Sequence, residues 1–222
     1  MSWAVDHDFS VSNEELLEAC KRQDQEALRV LLRRHERPVY SLLHRMLSSH
    51  EDAEEALAEV FVKVWKSAAG FKGDARFTTW LYRIASNTAR DALRARRKRA
   101  EVSTEDVLID ELEVSERAAS AATDPVRSVL VAEDTARILS AMQELSDEDR
   151  LLITLYHFQE SDYEEISEIT GISPSNLKVK LFRARQRLRE LCSDKEKEDN
   201  RDEVRSDTTG SSGLQQGAAD WA

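Results

Sequence analysis

The chain has 222 residues and a net charge of -11; 34% of them are charged, and only 6 are Gly and 3 Pro. That mix favours a soluble, helix-rich protein long enough to bury one large core or two small ones. It excludes a membrane span, because no apolar run approaches the roughly 20 residues one needs.

The N-terminal MSWAVDHDFS lacks the pattern of a signal peptide, so a cytoplasmic protein is expected. Cys20 and Cys192 lie far apart and near no His cluster, which argues against a disulfide framework or a zinc site. No cofactor is suggested. The negative sum hides a strong asymmetry. Bases concentrate at 90–99 and 178–189, acids at 101–116 and 194–207. A polyanion responds to the potential within about 10 Å, so two basic patches can bind nucleic acid despite the net charge.

Residues 1–11 read as a flexible tail. Ser12 opens a helix, with Glu15 completing a capping box, and Leu16, Leu17 and Cys20 form its apolar stripe. Asp24 caps the next helix, where Ala27, Leu28, Leu31 and Leu32 recur at helical spacing. Pro38 either starts a new helix or kinks this one, and Val39, Leu42, Leu43, Met46 and Leu47 continue the apolar face. Arg33, Arg34, Arg37 and Arg45 are expected to be solvated or paired with the acidic helix that follows. Ser49 caps that helix. Ala53, Ala56, Leu57, Val60, Phe61, Val64 and Trp65 give it a wide apolar stripe. Glu51, Asp52, Glu54, Glu55 and Glu59 crowd its first half. The helix dipole explains part of that crowding; an acidic docking face for a basic partner is the functional reading.

After a turn at Gly70–Ala75 comes FTTWLYRIASNTARDALRARRKR, from Phe77 to Arg99. Thr78 or Thr79 can cap this helix. Leu81, Ile84, Ala85, Thr88 and Ala92 make its inward face, and Trp80 and Tyr82 fit core or surface. Arg90, Arg94, Arg96, Arg97, Lys98 and Arg99 crowd its end against Asp91 alone, which suits phosphate or water. Residues 100–124 then read as an acidic linker. Asp124-Pro125 is a cap followed by a Pro at the first helical position, opening a second helical domain over 125–192. Ser146 caps the run containing LLITLYHF. A short helix from Tyr163, the turn Thr170-Gly171-Ile172 and a last helix from Ser173-Pro174 make a helix-turn-helix. In that last helix Leu177, Leu181, Ala184, Leu188 and Leu191 point inward, and Lys178, Lys180, Arg183, Arg185, Arg187 and Arg189 meet no acid until Glu190. A packed helix with a cationic shaft suits the major groove. Residues 193–222 are expected to be a disordered tail in which Trp221 is incidental.

The predicted fold is therefore all-α: two small helical domains joined by an acidic linker, the second a helix-turn-helix of winged-helix-like type. DAEEALAEVFVKVW, FKGDARFTTWLYRIASNTARDALRARRKR and LSDEDRLLITLYHFQESDYEEISEITGISPSNLKVKLFRARQRLRE resemble regions 2 and 4 of bacterial extracytoplasmic-function (ECF) sigma factors. The resemblance covers about 24–99 and 130–191, and TWLYRIA-N and KLFRAR carry it most specifically. It implies a protein with no reaction of its own, which binds core RNA polymerase and directs promoter recognition, melting and initiation at a set of stress-response promoters. Region 2, over 12–99, would grip the clamp helices of the β′ subunit and open the minus-ten element. Region 4 would read the minus-thirty-five element and touch the β flap. An anti-sigma factor is a further partner the resemblance allows.

By the same resemblance, Asp52, Glu55, Glu59 and Phe61 would bind core polymerase, with Ala58 standing where the family usually has Gln. Trp80, Asn87, Arg90, Arg94, Arg97 and Lys98 would meet the minus-ten DNA. Asn87 would hold a flipped base, a task an amide suits because it both donates and accepts. Ser175, Lys178, Val179, Phe182 and Arg183 are the base-edge candidates at minus thirty-five, with Lys180, Arg185 and Arg187 on phosphates. Val179 offers apolar contact only, for example to a thymine methyl. The competing readings are a stand-alone two-domain transcriptional regulator and, last, a metal hydrolase. No sensor or dimerisation segment supports the first, and no His or Cys at ligand spacing supports the second.

Overall fold

A computed structural model describes residues 11–102 and 135–210. Four helices form the first unit: α1 (Asn13–Lys21), α2 (Gln25–Leu47), α3 (His50–Ser67) and α4 (Phe77–Val102). The second unit holds α5 (residues 135–143), α6 (Asp147–Ile153), α7 (Tyr163–Thr170) and α8 (Pro174–Gly210). The expected linker beyond Val102 and the cap at Asp124-Pro125 lie outside the described residues. The described residues contain no strand, so the helix-turn-helix carries no β wing there.

Local chemistry sets most helix starts. Ser12 and Glu15 form the expected capping box, Asp24 accepts from the N–H groups of Glu26 and Ala27, and Ser49 accepts from Asp52 N–H. α2 runs through Pro38 as a single helix. The start of α4 departs from expectation. Thr78 and Thr79 lie inside the helix, with Thr79 buried, and the orphan N–H of Phe77 donates instead to Glu14 of α1 at 3.3 Å. A carboxylate from a neighbouring helix does what a local hydroxyl was expected to do.

In the first unit α2 lies against α1, α3 and α4. Its apolar face, with Leu31, Val39, Leu42, Leu43 and Met46 fully buried, meets Val60 and Val64 of α3 and Phe77, Leu81 and Ala85 of α4. Among the arginines of α2, Arg33 and Arg37 are exposed, one of the two outcomes expected. Arg34 donates to Val11 O at 2.7 Å, next to the cap of α1, while Arg45 donates to Ser41 O and lies 4.0 Å from the centre of the Phe158 ring.

In the second unit Ser146 caps α6, which widens into a π-helical turn over Thr154–Phe158. Asp162 and Glu165 form a capping box on α7, and Gly171 ends it with φ +76°, a left-handed conformation that glycine adopts without strain. Leu177, Leu181 and Ala184 of α8 pack inward as expected. α8 does not stop near Leu191. Its backbone continues to Gly210, through a stretch free of Gly and Pro, and Lys195 pairs with Glu144 at 2.6 Å. The tail expected to be disordered from 193 is helical that far.

The two units pack on each other, chiefly α4 against α7 and the end of α2 against α6 and its π turn. Polar side chains supply many of the contacts, beside an apolar cluster that continues from one unit into the other. Arg83 donates twice to Glu168 O, at 2.6 and 3.0 Å, and so caps the C-terminal end of α7. Arg76 pairs with Glu165 at 3.0 Å, and Arg97 reaches both carboxylate oxygens of Asp147 at 2.7 Å. Tyr82 donates to Gln159, whose amide donates to Pro38 O. Arg150, buried in the second unit, donates to Met46 O in the first at 2.7 Å.

Candidate nucleic-acid and polymerase interfaces

At 100° per residue, Arg76, Arg83, Asn87, Arg90, Arg94, Arg97 and Lys98 fall within an arc of about 100° on α4. Asn87, Arg94, Arg97 and Lys98 are exposed and Arg90 is half-buried. The first half of the helix thus sets an amide on the same face as the cations of the second half. Lys63 of α3 donates to Thr88 at 2.9 Å and anchors the turn that carries Asn87. Arg94 pairs with Asp91 at 3.1 Å on the surface. Arg96 turns away from this face: it donates to Leu47 O and lies 3.9 Å from Asp52. Trp80 is half-buried between Phe71 and Phe77, with ring centres 5.1 and 6.0 Å away, so its ring serves first as packing.

Sequence reasoning missed Arg76 and Arg83. Both lie on the face of Asn87, and Arg83 sits one turn before it, so helical spacing alone could have found them. In this packed form the second unit already engages Arg76, Arg83 and Arg97.

On α3, Asp52, Glu55 and Glu59 fall within an arc of about 60°. Glu55 and Glu59 are exposed, Asp52 is half-buried, and Glu59 pairs with Lys63 at 2.8 Å. Phe61 does not join them. Nine residues from Asp52 turn it through roughly 180°, and it is buried at 6% exposure. The ring of Phe61 is thus not presented beside the acidic stripe in this structure. The exposed apolar residue beside the acidic stripe is Val62, at 49%.

On α8, Ser175, Lys178, Val179, Phe182 and Arg183 are all exposed. Lys178 stands over the Tyr163 ring at 5.8 Å. Two other cations are held by α8's own unit. Lys180 pairs with Glu148 at 2.7 Å, and Arg185 donates to His157 and stacks 4.4 Å from the centre of the Tyr156 ring. Burial and the Arg185 charge hold His157 below the ordinary imidazole range, in keeping with a neutral ring that accepts this bond.

The described residues hold no cluster of His, Cys, Asp or Glu placed to bind a metal. Burial pushes the Cys20 thiol up to about 11, so it is a core group rather than a nucleophile. Among the described residues no helix is long and apolar enough to cross a membrane.

The chain matches known sequence families. Residues 31–99 match the model for sigma-70 region 2, and 135–188 match that for sigma-70 region 4. The chain is 30% identical to the RNA polymerase sigma-H factor of Pseudomonas aeruginosa over 179 residues, covering 79% of this chain and 91% of that protein. The chain belongs to the sigma factors of the ECF type. The ECF RNA polymerase sigma-E factor of Escherichia coli K12 is 31% identical over 178 residues, covering 80% of this chain and 93% of that one. The sigma factor RpoE of Bartonella quintana, solved with the anti-sigma factor NepR, shares the fold with a TM-score of 0.53 and 21% identity, covering 85% of this chain and 98% of that one. As a sigma factor the protein directs promoter-specific initiation by RNA polymerase. The region 2 match runs from within α2 into α4, and the region 4 match covers α5 to α7 and the first part of α8.

Proposed function

We propose that region 2 docks core polymerase through Asp52, Glu55 and Glu59 and opens the minus-ten element with the face of α4 centred on Asn87. The observation that carries this is the exposed Asn87 amide on one helical face with Arg90, Arg94, Arg97 and Lys98. An amide on the edge of a cationic strip can take a base that has left the stack while the cations hold its backbone. Region 4 reads the minus-thirty-five element with the outward face of α8. The chain works in the cytoplasm and supplies no reaction; polymerase does the chemistry. The likeness to a sigma factor solved with an anti-sigma factor supports such a partner here too.

The packed arrangement adds a condition. Arg76, Arg83 and Arg97 belong to the proposed minus-ten face, and each has a partner in region 4. Promoter DNA must displace region 4 to use them. Separation of the two units on polymerase therefore fits a protein that binds promoters tightly only as holoenzyme. The test is Asn87→Ala in reconstituted holoenzyme. Permanganate reactivity of the minus-ten thymines should fall at least ten-fold, the loss of about 1.4 kcal/mol, while co-elution with core polymerase is unchanged. Equal loss of both would make Asn87 structural.

A further inference from the structure

Around Asn87 the buried side of α4 is made of small residues. Ala85, Ser86, Thr88 and Ala89 are its fully buried side chains there, and the larger Leu81 and Leu93 lie a turn away on either side. Small side chains interlock little, so apolar packing alone sets the rotation of this turn loosely. Polar contacts must fix it. The buried hydroxyl of Ser86 has no partner among the described residues. Thr88 does have one. Its hydroxyl, on a residue 1% exposed, accepts from the Lys63 ammonium of α3 at 2.9 Å. A hydroxyl shut off from water cannot replace a lost partner, so this bond weighs more than one of its kind on the surface.

Lys63 also meets Glu59, one turn back on α3, at 2.8 Å. Glu59 belongs to the acidic stripe that docks polymerase in the reading above. One cation thus stands between a docking carboxylate and the turn that presents Asn87. The other link from the stripe to α4 is weaker: Arg96 lies 3.9 Å from Asp52 with its side chain 60% exposed, against 38% for Lys63. The two bonds of Lys63 are unequal. Glu59 is more than half exposed and can exchange Lys63 for water or another cation at little cost. Buried Thr88 cannot. A basic group arriving at Glu59 therefore takes the carboxylate and leaves the ammonium on Thr88. We propose that Lys63 is a positioning residue for promoter opening, which pins α4 at Thr88 so that the Asn87 amide stands where a displaced base can reach it. This rests on the reading that Asn87 receives that base. Loss of Lys63 then acts oppositely on the two surfaces: Glu59 is freed for polymerase, while the Asn87 turn loses its pin.

The test uses holoenzyme reconstituted from the full chain and core polymerase. Core affinity is measured separately from permanganate reactivity of the minus-ten thymines, the latter at saturating core. Lys63→Met keeps the aliphatic stem and deletes the charge. Reactivity should fall about five-fold, the worth of one hydrogen bond, while core affinity stays level or rises. Thr88→Val keeps the shape and deletes the hydroxyl; it should lower reactivity as much and leave core affinity alone. Lys63→Arg, a cation with donors for both partners, should restore most of the reactivity. Added to Asn87→Ala, Lys63→Met should cause no further loss, because it acts through that amide. Normal opening by Lys63→Met, with Asn87→Ala still defective, would overturn the proposal. So would a parallel fall in core affinity, which marks a role in the fold alone, or a further loss in the double variant, which places Lys63 on another path. If Asn87→Ala itself opens promoters normally, the reading of Asn87 fails, and this proposal with it.

Discussion

Replacing Arg150 by Met is the sharpest test of how the two regions are held. The side chain is buried, at 7% exposure, and touches no carboxylate. Its guanidinium donates to four backbone carbonyls: Met142 at 2.9 Å, Gln143 at 2.6 Å, Leu145 at 3.2 Å and, across the interface, Met46 at 2.7 Å. Met142 and Gln143 end α5, and Met46 lies in the last turn of α2, so one cation satisfies orphan carbonyls at two helix ends. Burial lowers the Arg150 pKa from its ordinary value, yet the group remains charged at any working pH. Met fills a similar volume but removes four donated bonds, leaving Met142 O with only its bond from Leu145 N–H at 3.3 Å. Each lost bond to a charged donor is worth about 1.5–3 kcal/mol, and the desolvation no longer suffered by the cation offsets part of the sum. The net loss should be about 3–5 kcal/mol. Urea unfolding followed by far-UV circular dichroism measures it, and energy transfer between dyes on α3 and α8 reports whether the units separate first. Arg150→Met should lower the urea midpoint and split unfolding into two steps. Arg150→Lys, with one ammonium for four acceptors, should recover less than half of the loss. A variant within about 0.5 kcal/mol of the parent would mean that water satisfies these carbonyls as well as the side chain does, and would refute the reasoning.

Asp147→Asn with Glu165→Gln removes the carboxylates that engage Arg97 and Arg76; the free chain should then bind single-stranded DNA more tightly, with a log–log salt slope steeper by roughly 1–2, measured by fluorescence anisotropy. Glu55→Lys with Glu59→Lys should weaken core polymerase binding in a pull-down while shifting stability by less than about 1 kcal/mol, since both are exposed. Phe61→Ala should do the converse, losing about 3–5 kcal/mol of stability in thermal melts. Burial holds His35, His44 and His157 below their ordinary range, so the unfolded chain binds more protons just below pH 6.5. Stability should therefore be complete above that pH and decline as pH falls through and below it, read from urea midpoints between pH 7.5 and 5. His35→Gln should flatten the decline, because its ring is half-buried against Phe77 at 5.3 Å.

The sequence by itself determined what depends on neighbours along the chain. Caps at Ser12, Asp24, Ser49 and Ser146, the turn at Gly171 and the inward faces of α2, α4 and α8 follow from spacing, because a helix face and its first turn are set within a few residues. The cationic, Asn-bearing face of α4 was legible for the same reason. Phe61 was legible as part of an apolar stripe, and it is buried on another side of α3 from the acidic stripe. Only the tertiary structure decided the rest. Glu14 substitutes for a threonine cap because α1 brings a carboxylate to a helix end 63 residues away in sequence. Arg150 stands between the acidic turn Asp147-Glu148-Asp149 and an apolar run, and nothing local shows that its partners are carbonyls at the ends of two helices. The pairing of Arg76, Arg83 and Arg97 with region 4 is likewise invisible in the chain. Bases on a helix suit phosphate, carboxylate and carbonyl alike, and which of these meets them depends on how the two regions dock.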